Sequence, residues 1–261
     1  MKYRYLNEVL LDWSNSEEEI LDNNIIKAQD IRNKLGFRIF TIFPGIKFKM
    51  IYVEGGTFVM GSNDEYDTQP LHNVTLSDYL IGETAVTKEL WEAVMNNQVI
   101  DDEKNYPKSE IRYDAAIEFT DKLSELTGVK FTLPTEAQWE FAARGGNKSR
   151  GYRYSGSNNL DDVAWYWDNS KLLIHPIKQL KPNELGIYDM CGNVYEWCLD
   201  WRDNYPEEDV INPIVEENQF GAHILRGGAA GSYENYCTVY YRNSGTSMAR
   251  IDCGMRLVIN L

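Results

Sequence analysis

The stretch DMCGNVYEWCLDW, residues 189–201, sets Asp189, Glu196 and Asp200, a Gly192-Asn193 turn, two cysteines and three large aromatics within thirteen residues. A solvated loop does not hold Tyr195, Trp197 and Trp201, because each ring removes a large apolar area from water when it packs. A plain core strand does not carry three carboxylates, which are costly to bury without partners. The stretch therefore reads as a polar turn running into a buried wall, with its charged groups held among aromatics.

Upstream, LPTEAQWEFAARGG (133–146) reads as a helix. Thr135 is its N-cap, Gln138 completes a capping box, and Gly145-Gly146 stop it. YDAAIEFTDKLSELTG (113–128) is a second helix, with Ala116, Phe119, Leu123 and Leu126 at helical spacing and Gly128 at its end. TKELWEAVM (87–95) is a third, capped by Thr87. FRIFTIFPGIKFKMIYVEGGTFVMG (37–61) is rich in aromatic and β-branched residues, broken by Pro44, Gly45 and Gly55-Gly56, and predicts strands and a hairpin. SNSEEEILDNNIIKAQDIRNKLG (14–36) predicts an N-terminal helix from its Ser16–Glu19 capping box to Gly36. Composition shifts near residue 47, so residues 1–47 are expected as a helical and strand extension and 48–261 as the main domain. Beyond residue 146 glycine, asparagine, aspartate and aromatics interleave without periodicity, which predicts loops and short strands. GMRLVINL (254–261) predicts one closing strand.

The 261 residues are long enough to bury a substantial core, and an apolar content of 43% is that of a globular chain. A formal net charge of −14 repels phosphate backbones and anionic bilayers, so no nucleic acid is expected as a partner. No apolar run reaches membrane-span length, and the first twenty residues lack a signal-peptide core; the expectation is a cytoplasmic protein. Cys191, Cys198, Cys237 and Cys253 are too few for a disulfide scaffold. Cys191 and Cys198 are spaced unlike a redox or zinc pair, and His72, His175 and His223 lack metal-ligand spacing.

Six stretches in order, GGTFVMGS (55–62), PLHNVTLSDYLIGETAVTKELW (70–91), LPTEAQWEFAARGG, NELGIYDMCGNVYEWCLDW (183–201), LRGGA (225–229) and GMRL (254–257), together resemble the formylglycine-generating enzyme, or sulfatase-modifying factor, domain family. The resemblance implies an α+β fold: an elaborated C-type-lectin-like domain low in regular secondary structure. It also implies a calcium site, with side-chain oxygens from Asp189 and Glu196 and backbone carbonyls from Gly192 and Val194. That donor set suits a hard cation needing several oxygens at once, and a Gly-Asn turn lets carbonyls converge. The other reading is an acidic turn whose carboxylates accept backbone N–H groups. A second calcium site of the family finds no clear counterpart in SGSNNLDDVAWYWDNS (155–170), although Asp161, Asp162 and Asp168 lie there.

The family's enzyme binds copper(I) through two cysteines five residues apart and oxidises a substrate cysteine with oxygen. In RGGAAGSYENYC (226–237) the later position is Cys237 and the earlier is Ser232. A hydroxyl is a weak ligand for a soft cation, so copper is not expected. Of the other thiols, Cys253 is the best placed to replace the missing one, through a final strand beside CTVYYR, in which Cys237, Val239 and Tyr241 would share a face. The first expectation is thus a non-catalytic member that binds a protein or peptide ligand through GSYENYCTVYYRNSGT (231–246). Ser232, Tyr233, Asn235, Tyr236, Tyr240 and Asn243 are the contact candidates, a palette shared with antibody loops. Half-buried structural tyrosines are the competing reading of that segment. The same family includes the variable proteins of diversity-generating retroelements, whose varied segment lies at this end of the chain. The alternative function is a copper- and oxygen-dependent oxidase of a cysteine or thiol substrate, with Cys237 catalytic.

Overall fold

A computed structural model describes residues 36–43, 46–96, 98–217, 221–246 and 251–261. The expected N-terminal helix lies outside these residues. β1 (Phe37–Phe43) and β2 (Ile46–Val53) form an antiparallel hairpin, and β2 pairs with β5 (Tyr79–Gly82). The boundary drawn at residue 47 therefore falls inside β2. β1 belongs to the same sheet as the main domain, and its Phe40 is fully buried against Phe48 and Phe131.

β3 (Gly56–Met60) pairs with β4 (His72–Leu76), which also carries the short β9 (Val210–Ile211). β6 (Ala164–Trp165) lies parallel to β7 (Cys191–Gly192). A four-stranded sheet runs β11 (Arg242–Gly245), β10 (His223–Arg226), β8 (Tyr195–Trp201), β12 (Cys253–Met255). The expected closing strand is two. β12 ends at Met255, and β13 (Val258–Asn260) joins the other four-stranded sheet beside β5. The break falls at Arg256, whose guanidinium turns inward to the carbonyls of Gly82 and Tyr188 at 2.8 and 2.9 Å. CTVYYR is likewise not a strand up to Tyr241. Glu234–Cys237 is a 3-10 turn, and pairing starts only at Arg242.

Local signals set the helices. α1 (Lys88–Asn96) starts where Thr87 Oγ1 accepts the Leu90 N–H, and α2 (Tyr113–Thr127) ends at Gly128 in the left-handed region. They pack through stacked Trp91 and Phe119 rings 5.0 Å apart. α3 (Glu136–Ala143) has the expected box: Thr135 Oγ1 accepts the Gln138 N–H, and Gln138 Oε1 accepts the Thr135 N–H. Every residue of α3 is buried, including Glu136 and Glu140. No helix among the described residues is long and apolar enough to cross a membrane.

Candidate binding surface over a buried ion network

Two carboxylates on a helix buried all round require cations, since an unpaired buried charge is strongly unfavourable. Arg226 supplies one guanidinium, 2.8 Å from Glu136 Oε1 and 2.5 Å from Glu140 Oε2. Arg242 forks onto both oxygens of Glu136 at 2.7 and 2.8 Å. Arg144 binds Glu140 Oε1 and the carbonyl of Gly61. The arginines hold both carboxyls below the usual range against the opposing effect of burial. Beside them Asp200 accepts the N–H groups of Glu136 and Val215. Burial, then the charge of Glu136, push its carboxyl up to about 7.

Glu196 closes a second pair. Its oxygens accept from Arg256 at 2.7 to 3.1 Å and from the Trp139 indole at 2.7 Å. Asp189, at φ 57°, accepts the Lys178 N–H at 2.9 Å and is pushed up mainly by burial. Gly192 is at φ 71°, and a Cβ there would lie 2.2 Å from the Trp165 carbonyl oxygen. The four expected calcium positions, Asp189, Gly192, Val194 and Glu196, flank this turn in the chain. As placed, the set does not fit a hard cation: both Glu196 oxygens are committed to a guanidinium and an indole, so calcium would have to displace Arg256. Among the described residues no group of three His, Cys, Asp or Glu side chains converges to hold a metal. Asp162 binds Lys181 and Ser157, while Asp161 accepts from Tyr166, so these too have separate partners.

After Arg226 the chain passes through Gly227 and Gly228, both at positive φ. A Cβ on Gly228 would lie 2.7 Å from Cys237 Sγ, so glycine lets the loop fold onto its own thiol. Cys237 is fully buried, and burial pushes its thiol well above the ordinary range. Ser232 Oγ accepts the Ala229 N–H at 2.9 Å and donates to Tyr195 OH at 3.1 Å. The hydroxyl is thus a structural strut, and this pair does not fit a two-thiolate copper site. The thiol that shares an apolar cluster with Cys237 is Cys191; Cys253 packs in a different cluster.

Of the six expected contact residues, Tyr233 and Asn235 are exposed, and Tyr236 and Asn243 are half-buried. Ser232 and Tyr240 are buried, Tyr240 donating to Asp64 at 2.6 Å, and they leave the contact set. Within the 3-10 turn Cys237 is tucked under Gly228, while Glu234 and Asn235 stay at the surface. Tyr236 meets Tyr241 at 4.8 Å, and Tyr233 meets Trp167 at 5.0 Å. Trp167 sits on the short α4 (Trp167–Ser170), stitched to the loop by its N–H to the Ser232 carbonyl and by Ser170 Oγ to the Ala230 carbonyl. The result is a chain of rings, Trp167, Tyr233, Tyr236 and Tyr241, across two segments, with the exposed Leu172 within reach of Gly231. Sequence reading missed Trp167. Its signal was the alternation in AWYW, where Tyr166 is buried and Trp167 exposed.

Comparison with known proteins gives this geometry a context. The family model of the sulfatase-modifying factor enzyme 1-like domain matches residues 46–261. The chaperone protein LppX of Paenibacillus barcinonensis is 32% identical over an alignment covering 74% of this chain and 82% of its own. The formylglycine-generating enzyme of Streptomyces coelicolor is 35% identical, but over 41% of this chain and 38% of that enzyme. Among solved structures, Treponema denticola variable protein 1 superimposes with a TM-score of 0.79 at 30% identity, covering 86% of this chain and 99% of its own.

Proposed function

The chain belongs to the sulfatase-modifying factor enzyme 1-like domain family, and within it we propose a binding module that lacks the oxidase chemistry and recognises a protein or peptide through the ring surface of residues 231–246 and Trp167. One observation carries this reading. Where the enzyme needs two accessible thiolates, the chain has a buried thiol and a hydroxyl committed to the backbone, while the rings beside them face outward. A protonated, desolvated thiol is neither a good nucleophile nor a good ligand for a metal. The relatives named as a chaperone and as a variable protein support a role in contacting other molecules. Likeness to the variable protein also supports reading 231–246 as the varied segment of a diversity-generating retroelement. A reverse-transcriptase gene next to a near-copy of this coding segment would be its genomic mark.

The oxidase reading keeps one specific support, the shared cluster of Cys191 and Cys237. Incubating copper-supplied protein with a cysteine-containing sulfatase-type peptide separates the two. The binding reading expects no loss of peptide sulfur by mass spectrometry. Formylglycine formation that disappears in Cys237→Ala would overturn it.

A further inference from the structure

Taking the exposed rings as the ligand surface, as proposed above, we infer that the ligand is a polypeptide segment presenting arginine or lysine to the Trp167 and Tyr233 faces. Trp167 is 44% and Tyr233 55% exposed, so both rings are open to a partner. Carboxylates flank them. Asp168 is exposed next to Trp167, and Glu234 follows Tyr233. Glu65 opens the turn Tyr66–Thr68, whose Asp67 carbonyl accepts from Arg242 at 3.1 Å, next to Tyr241 at the far end of the rings. Among the described residues, none of these three carboxylates makes an ion pair with lysine or arginine, and Glu234 accepts the Tyr154 hydroxyl at 2.5 Å. The nearby cations are otherwise engaged: Arg153 with Asp64 at 3.5 Å and Arg202 with Asp67 at 2.6 Å. Lys171 remains as an exposed cation at the rim, after the α4 turn.

Each alternative ligand class conflicts with this pattern. An anionic segment would meet both the negative ring faces and the carboxylates. A purely apolar segment would gain from the rings but strip water from carboxylates and give them no partner. A guanidinium or ammonium satisfies both, stacking on a ring while its N–H groups reach a carboxylate. The net charge of −14 steers such a segment inward.

The test uses the full chain and three fluorescein-labelled peptides of one length: Gly-Ser-Arg-Gly-Arg-Ser-Gly and its counterparts with both arginines replaced by serine or by glutamate. By anisotropy, the arginine peptide should bind, more weakly as salt rises, and the other two should not. Trp167→Ala/Tyr233→Ala should weaken binding about tenfold, the loss of two cation–ring contacts. Glu65→Gln/Asp168→Asn should weaken it severalfold. Asp121→Asn/Glu125→Gln on the exposed face of α2 changes net charge equally and should leave affinity within about twofold. Circular dichroism melts check that each variant folds. An equal loss from the α2 pair, or equal binding of the glutamate peptide, overturns the inference. So does failure of all three peptides. In that case, peptides selected from a displayed library decide the underlying reading. Binders that lose affinity in Trp167→Ala/Tyr233→Ala preserve the surface and discard the cation; binders indifferent to that change discard the surface.

Discussion

Asp200 shows how one side chain ties this core to pH. Its carboxyl is pushed up to about 7 by burial and by Glu136, against about 3.8 in an unfolded chain. Between those values the folded state keeps a proton that the unfolded state has released. Asp200 therefore lowers stability as pH rises from about 4 to 7, by up to about 4 kcal/mol, and adds nothing further above. Glu136 and Glu140, held low by their arginines, act in the opposite sense below the usual carboxylate range. Buried His223, whose ring is shifted down by burial, also favours higher pH. The difference between wild type and Asp200→Asn isolates the one group. Urea unfolding should show the variant gaining on the wild type from pH 4 to 8, and a constant difference would refute the assignment. At this scale the sequence displayed the right residues but not their roles. The family resemblance makes Glu196 a calcium ligand, and its partner in this structure, Arg256, stands sixty positions away in the chain, where no local pattern points to it.

Elements set by neighbours in sequence were legible, and those set by distant partners were not. Thr135 and Gln138 are three residues apart, so the α3 box could be read directly. The division of GMRLVINL could not, because it follows from Arg256 reaching Gly82, 174 residues earlier. The 3-10 turn at Glu234–Cys237 escaped for a similar reason. The alternation of Cys237, Val239 and Tyr241 just after it mimics a strand, and only packing of Cys237 under Gly228 tells otherwise. The β6–β7 pairing yields a sharp prediction. Gly192 needs a positive φ and has a carbonyl oxygen where a Cβ would sit. Gly192→Ala should cost more than the ~1 kcal/mol expected of Thr135→Ala, which removes only a cap. Equal losses in denaturant melts would show that the turn yields easily.

At the scale of the whole molecule, the positive charges that buried Glu136, Glu140 and Glu196 require come from Arg144, Arg226, Arg242 and Arg256. A ligand stabilises only by binding the folded state better than the unfolded one. With Glu196 already occupied by arginine, the melting temperature should be the same in chelator and in millimolar calcium, to within about 1 °C. A clear rise with calcium, lost in Asp189→Ala, would restore the metal site. The ion network also fixes how the surface is mounted. Arg226 and Arg242, the residues that open and close the segment 227–241, grip the same carboxylate, Glu136. The segment is an arch with both feet on one stone, and Tyr233 and Asn235 at its crown are exposed. On the binding role proposed above, Tyr233, Asn235 and Tyr236 can be exchanged while the footings stay unchanged, so that new recognition would arise without the fold having to be found again.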